Sequence, residues 1–269
     1  MKNQTKTLFN KVASLALAAI MALSVIFVAV PTEVSAAELS FKSTGKSSVT
    51  ITDEQCFNAT GALTYIKFTA KQDGYLKITA KNASSAYSYT AGNWQLYDKK
   101  KKTAVSPAHK YDTNKTDSYY YTDIYGVKKN TTYYLCVQAF AGVKIDAAFT
   151  KVTDKSGSKK AKALNIKKGK SATGLIRVGD SKVDDWYKFN FNSARKFTIY
   201  ITPYTNDDLT VTISGTKMKT KTYTIPAGYY GQKVDFPYST NYGKLSGTCY
   251  IKVEPATKNA SGYYKVTWK

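Results

Sequence analysis

The chain of 269 residues holds one histidine, three cysteines, six prolines and two arginines, and each scarcity excludes something. His109, set in "VSPAHKYD", is the lone imidazole. Hydrolytic constellations built on a histidine therefore depend on one side chain, which this context places as a solvated loop residue. Cys56, Cys136 and Cys249 form an odd set without CxxC spacing, so neither a disulfide framework nor a zinc site is indicated, although Cys56 and Cys136 could pair within the first half. Beyond residue 36, glutamate is confined to Glu38, Glu54 and Glu254, none placed as one of the two carboxylates about 5–10 Å apart that glycosidases use. Arg177 and Arg195 are too few for planar phosphate and base recognition, so nucleic acid is not an expected partner. No enzyme is expected.

At the start of the chain, Lys2, Lys6 and Lys11 precede an apolar run from Val12 to Val30, and Val34-Ser35-Ala36 offers small residues for cleavage. This is the pattern of a secretory signal over residues 1–36. It predicts a mature chain from Ala37 with no membrane span, released or held loosely at the cell surface. Charge is strongly one-sided, at a net +22. Residues 37–154 carry 16 basic and 10 acidic side chains, whereas residues 155–269 carry 21 and 7, so the excess lies in the second half. Such a field favours anionic surface polymers and acidic glycans as partners. Its plainer use is to keep exposed strand edges soluble.

Short alternating runs follow one another between Gly, Asn, Asp and Lys clusters. "LTYIKFTA", "YLKITAK", "WQLYD" and "TYYLCVQAF" read as strands in the first half, and "WYKFNF", "FTIYITPY", "LTVTISG", "CYIKVEP" and "YYKVTW" in the second. The predicted class is all-β, with two tandem antiparallel sandwiches of jelly-roll or immunoglobulin-like form. Their expected bounds are 37–153 and 171–269, joined by the Lys-, Ser- and Gly-rich stretch 154–170 as a linker.

The halves also resemble each other, as a duplication would. Tyr65-Ile66-Lys67-Phe68 aligns with Trp186-Tyr187-Lys188-Phe189, Leu76 and Ile78 with Phe197 and Ile199, and Tyr134-Leu135-Cys136-Val137 with Tyr250-Ile251-Lys252-Val253. Residues two apart share a face of a strand. Ile66, Phe68, Ala70, Leu76, Ile78 and Ala80 are therefore expected inside, with Tyr187, Phe189, Phe191, Phe197, Ile199 and Ile201 as their counterparts. Tyr65, Lys67, Tyr75, Lys77, Trp186, Lys188, Thr198 and Tyr200 then face out, as strips of aromatics alternating with lysine.

The run "VDDWYKFNFNSARKFTIYI", with "LTVTISG", "TCYIKVEP" and "SGYYKVTW" after it, resembles the bacterial pre-peptidase C-terminal domain. The resemblance covers most of residues 170–269 and reaches 45–152 only through the duplication, where "GALTYIKF" lacks the Asp pair. It implies a jelly-roll-like sandwich of a kind appended to secreted proteins, where it binds or assists secretion.

The 23 tyrosines supply the main candidate for chemistry, because consecutive rings such as Tyr119-Tyr120-Tyr121 cannot all fit inside a sandwich. The expected ligand-binding residues are Tyr65, Lys67, Tyr75, Lys77, Tyr119, Tyr121, Trp186, Lys188 and Tyr200, with Trp94 and Trp186 as sugar platforms if the ligand is a glycan. Asp180, Asp184 and Asp185 could supply some of the six to eight oxygens that Ca²⁺ requires, or could cap the turn before a strand. No other cofactor is expected. The function these features suggest is a non-catalytic, adhesin-like protein binding a host extracellular macromolecule such as an immunoglobulin or other glycoprotein. A glycan- or wall-binding pair of modules and a self-associating matrix component are the alternatives.

Overall fold

A computed structural model describes residues 38–57, 63–180, 184–227, 233–239 and 244–269, so the expected signal at 1–36 lies outside the described residues. The fold is all-β. The first nine strands are β1 (Leu39–Ser40), β2 (Gly45–Ile51), β3 (Thr64–Ala70), β4 (Gly74–Asn82), β5 (Ala91–Tyr97), β6 (His109–Asp112), β7 (Thr122–Val127), β8 (Thr131–Ala139) and β9 (Val143–Lys151). The next nine are β10 (Leu164–Asn165), β11 (Ser171–Ile176), β12 (Asp185–Ala194), β13 (Lys196–Thr205), β14 (Leu209–Gly215), β15 (Met218–Ile225), β16 (Val234–Ser239), β17 (Leu245–Pro255) and β18 (Gly262–Trp268).

Each set of nine forms a sandwich. A five-stranded sheet ordered β1-β3-β8-β5-β6 packs on a four-stranded sheet ordered β2-β9-β4-β7, and the second set repeats this as β10-β12-β17-β14-β15 on β11-β18-β13-β16. The repeat extends to the register. Tyr65 faces Cys136 and Lys67 faces Tyr134, as Trp186 faces Lys252 and Lys188 faces Tyr250. The short parallel partners obey it too, with Leu39 beside Ile66 and Leu164 beside Tyr187.

Alternation decides what is buried. The inward residues expected from the pleat, from Ile66 to Ala80 and from Tyr187 to Ile201, are all in the cores. In the second core Phe189 stacks on Trp268 at 4.2 Å, and the Trp268 indole N–H donates to the Ile166 carbonyl at 2.8 Å. Burying such rings contributes about 25 cal/mol per Å² of apolar surface removed from water.

Residues 154–170 are ordered against the second sandwich. Gly157 and Trp186 exchange backbone hydrogen bonds at 3.0 and 2.8 Å, and the Ile166 N–H donates to the Lys188 carbonyl at 2.8 Å. Ala163 and Ile166 are buried. The expected linker is thus a strap laid along β12.

The sandwiches also grip each other. β7 is the edge of its sheet and every residue in it is buried, because Tyr125 and Val127 lie in the first core and β11, β13 and β18 of the second sandwich cover the strand. The Val178 N–H donates to the Gly126 carbonyl at 2.8 Å, and the Val178 side chain joins the first core. Arg177 reaches Asp73 at 3.4 Å. A Cβ at Gly126 would overlap the Ile176 carbonyl oxygen, so only glycine fits there. Gly126→Ala is expected to cost about 1–3 kcal/mol, as overpacking does, and to split one calorimetric transition into two. An unchanged single transition would show that the contact does not couple the halves.

Candidate functional site

The pleat sends Tyr65, Tyr97 and Tyr134 to the outer face of the first five-stranded sheet, around the buried Cys136. The rings pack edge-on, with Tyr65 at 6.0 Å from Tyr97 and 6.5 Å from Tyr134. The turn after β5 then folds back over them. Asp98 accepts the N–H groups of Lys100, Lys102 and Thr103, Ala104 packs on the cluster, and Lys101 sets its ammonium 5.2 Å from the Tyr65 ring and 4.7 Å from the Tyr134 ring. Lys67 is held by Glu38 at 3.0 Å, and Glu38 also accepts the Tyr134 hydroxyl at 2.9 Å. Those bonds, Lys67 foremost, hold the Glu38 carboxyl below its ordinary range. Burial pushes the Tyr65 phenol up and the Cys136 thiol up to about 12. This face, expected as an open strip, is largely closed on itself.

The matching face of the second half is covered from a different part of the chain. Trp186 stands where Tyr65 does, Lys188 for Lys67, Tyr250 for Tyr134 and Lys252 for Cys136. β14 turns into β15 through Thr216 and Lys217 alone, with Lys217 at φ 56°, and the cover comes instead from the strap, through Lys160. Trp186, Lys188 and Tyr250 are half-buried, as Tyr65 and Lys67 are, whereas Tyr134 is buried. Around them lie rows of hydroxyls and amides: Thr248 donates to Asn190 at 2.9 Å, Ser246 to Asn192 at 2.6 Å, and Thr212 pairs with Thr222 at 3.1 Å. The Lys160 ammonium sits 4.7 Å from the Tyr250 ring centre. Lys252 is engaged by Asp184 at 3.3 Å and by Glu254.

The remaining expected residues scatter. Tyr75 lies between the sandwiches, stacked on Tyr263 at 4.3 Å, and Tyr263 in turn stacks on Tyr204 at 4.5 Å. Lys77 is exposed on β4, and Tyr200 lies under Lys233 with the ammonium 4.2 Å from its ring. Tyr121 is half-exposed, its hydroxyl donating to the Thr116 carbonyl at 3.5 Å; the Tyr119 side chain lies outside the described residues. Trp94 is wholly buried and stacks on His109 at 4.9 Å, so it offers no sugar platform. On β5 it shares the inward face with Leu96.

The three aspartates do not converge. Asp180 accepts the Arg177 guanidinium at 2.5 Å, Asp184 pairs with Lys252, and Asp185 is buried. Asp185 accepts the Tyr264 hydroxyl at 2.5 Å and the Ser156 hydroxyl at 2.7 Å, and Tyr264 meets Tyr187 at 3.0 Å. Burial, with the Asp154 charge nearby, pushes the Asp185 carboxyl up to about 6. A polar cleft of about 770 Å³ opens between the halves beside Asp73, Asp154 and Asp184, whose carboxylates are already engaged. Among the described residues no group of three His, Cys, Asp or Glu could hold a metal ion. The cysteines are free, with Cys56 and Cys136 unpaired.

His109 is not the solvated loop residue its sequence context suggested. It is largely buried on β6, and its Nδ1 lies 3.7 Å from the buried Asp123. Burial lowers the imidazole's pKa against the pull of Asp123, and burial raises that of Asp123. Tyr250, on the outer face of the second half, and Lys160, which covers it, were not among the expected site residues. The alignment of Tyr250 with Tyr134 carried the signal for the first; nothing local carried it for the second.

No protein-family model and no curated protein matches the chain. Among solved structures it is similar to the pre-peptidase C-terminal domain of a collagenase from Bacillus anthracis, at 16% identity and TM-score 0.30, over 45% of this chain and 100% of that one. It is also similar to PliG, a periplasmic inhibitor of g-type lysozyme from Aeromonas hydrophila, at 7% identity and TM-score 0.27, over 42% and 96% of the two chains. The CUB1-EGF-CUB2 domains of rat MASP-1 match at 7% identity and TM-score 0.26, over 86% and 99%. The first of these is a module of the family that the run after Val183 resembles.

Two measurements check this geometry. Trp186→Ala and Lys188→Ala are expected to leave the melting temperature within about 2 °C, while Tyr75→Ala, which empties the stack between the sandwiches, lowers it several degrees. Equal losses at all three would place Trp186 in a core. Asp185 has its folded-state pKa raised, so its favourable contribution is complete below about pH 4 and is lost as pH rises through about 6. The unfolding free energy of the wild type minus that of Asp185→Asn should therefore fall between pH 4 and pH 7, at no more than about 1.4 kcal/mol per pH unit. A difference independent of pH would contradict the assignment.

Proposed function

We propose that the protein is a secreted, non-catalytic binding protein, adhesin-like in action, that engages a host extracellular glycoprotein such as an immunoglobulin. The division into units at 37–153 and 171–269, with 154–170 attached to the second, is part of this reading. The observation that carries it is the outer face of β12 and β17, where Trp186, Lys188 and Tyr250 share one side of the sheet, each partly accessible to solvent. Aromatic rings with few rotatable bonds supply contact area at small entropic cost, and the surrounding hydroxyls and amides supply hydrogen bonds. The exposed edge of β15, bearing Lys219 and Lys221, offers main-chain groups for strand addition.

A second reading is favoured by the same rings lying beside the rows Asn190–Thr248 and Asn192–Ser246. A flat ring beside paired hydroxyl and amide groups suits a pyranose, stacked on one side and hydrogen-bonded on the other, so the ligand is then the glycan rather than the polypeptide. Immobilised residues 37–269 tested against immunoglobulin G and a glycan array separate the two. Retention of immunoglobulin that survives enzymatic deglycosylation and drops tenfold or more with Trp186→Ala/Tyr250→Ala supports the first; array signals with the same dependence support the second. Binding to neither, or binding indifferent to both substitutions, contradicts the assignment of this face.

A further inference from the structure

The strap along β12 carries an unusual charge distribution. From Lys155 to Lys170 there are seven lysines and no carboxylate, and all seven lysines are exposed. Among the described residues none of the seven lies within 4.0 Å of a carboxylate. A like-charged run of this kind is ordinarily a solvated, unfolded linker. Here the backbone is fixed instead. Gly157 is paired with Trp186, and a Cβ on it would overlap the Lys162 carbonyl. Ala163 and Ile166 are buried, Ile166 is bonded to both Lys188 and Trp268, and the Gly169 N–H donates to the Trp268 carbonyl at 2.9 Å. Folding therefore holds seven like charges on one fixed stretch of backbone, and like charges repel one another over a screening length of about 8 Å in physiological salt. A ligand that neutralises them recovers that repulsion.

We propose that this strap, together with Trp186, Lys188 and Tyr250 beside it, is the docking site for a linear anionic polysaccharide. The proposal rests on the reading of a non-catalytic binding protein and assigns that protein a charged ligand class. Charge complementarity selects the polyanion. The rings select the sugar: Lys160 stands over Tyr250 and the strap backbone at Gly157 is hydrogen-bonded to that of Trp186, so both aromatic residues adjoin the lysine-bearing strap. Lysine suits this ligand, since it meets sulfate or carboxylate as a mobile point charge, whereas base recognition would recruit the planar fork of arginine, and the strap has none. The first half lacks such a strap: its Lys101 lies over Tyr65 and Tyr134, in a turn whose Asp98 is a carboxylate within the run.

Heparin is the probe, titrated into residues 37–269 across a salt series. The affinity is expected to fall linearly on logarithmic axes as salt rises. Lys159→Gln/Lys160→Gln/Lys162→Gln should weaken it tenfold or more and flatten the slope by about 2, taking about 0.7 per neutralised charge on a single chain. The corresponding Lys→Arg triple should restore binding. Lys99→Gln/Lys100→Gln/Lys102→Gln, which changes net charge equally on the first half, should cost less than twofold. Trp186→Ala should weaken heparin at least threefold and leave inorganic polyphosphate unchanged. Equal losses for the two glutamine triples would overturn the proposal, because net charge alone would then explain binding. So would oligothymidylate binding at least as tightly as heparin. Failure to bind heparin in 50 mM salt while immunoglobulin is still retained through Trp186 would remove the polysaccharide and leave the reading above intact.

Discussion

At Gly126 the edge of β7 has no room for a side chain, and the Ile176 carbonyl takes that space. The relative placement of the two sandwiches follows from this close approach. It puts Val178 into the first core, brings Arg177 to Asp73, and sets Tyr75 against Tyr263. It also solves a problem common to sheet proteins, since an edge strand left uncovered pairs with other chains. One sandwich covers the other's edge, and the molecule becomes a body whose two outer five-stranded faces keep a fixed relation.

Duplication then supplies two copies of a face, and divergence gives them different fates. The registers agree residue for residue along β3 with β8 and β12 with β17. Yet Cys136 in one copy is Lys252 in the other, and the long turn carrying Lys101 is replaced by the tight connection at Lys217. The first face buries Tyr134 under an ammonium from its own turn; the second carries a tryptophan and a tyrosine beside an ammonium from the strap. Most of the positive charge lies with the second, so the strap and the stronger field are on the same half.

The sequence made the pleat legible because period-2 alternation and burial are the same fact seen twice. Ile66, Phe68, Tyr187 and Phe189 went inside, and Tyr65 and Trp186 stayed on outer faces. What escaped was tertiary cover. Nothing near Tyr75 announces Tyr263, and nothing near Tyr65 announces that Lys101 will fold over it. Asp185 read as a turn cap or a Ca²⁺ ligand, and its partner in the core, Tyr264, is 79 residues away. The strap was read as a linker because lysine, serine and glycine dominate it. Its few buried positions, Gly157, Ala163 and Ile166, have no period to detect. The candidate site was thus half visible: Trp186 and Lys188 from the pleat, but not the ordered cations beside them.

Amide hydrogen exchange on residues 38–269 tests the ordered strap and the joined sandwiches most directly. The N–H groups of Gly157, Ile166, Gly169 and Val178 each have a named acceptor, so their exchange should be slowed by orders of magnitude, as in the neighbouring strands β12 and β18. Exchange of these four at the rate of an unstructured chain, with the strands protected, would contradict the account: the lysines would then lie on a free linker, and the two sandwiches would be tethered without being joined.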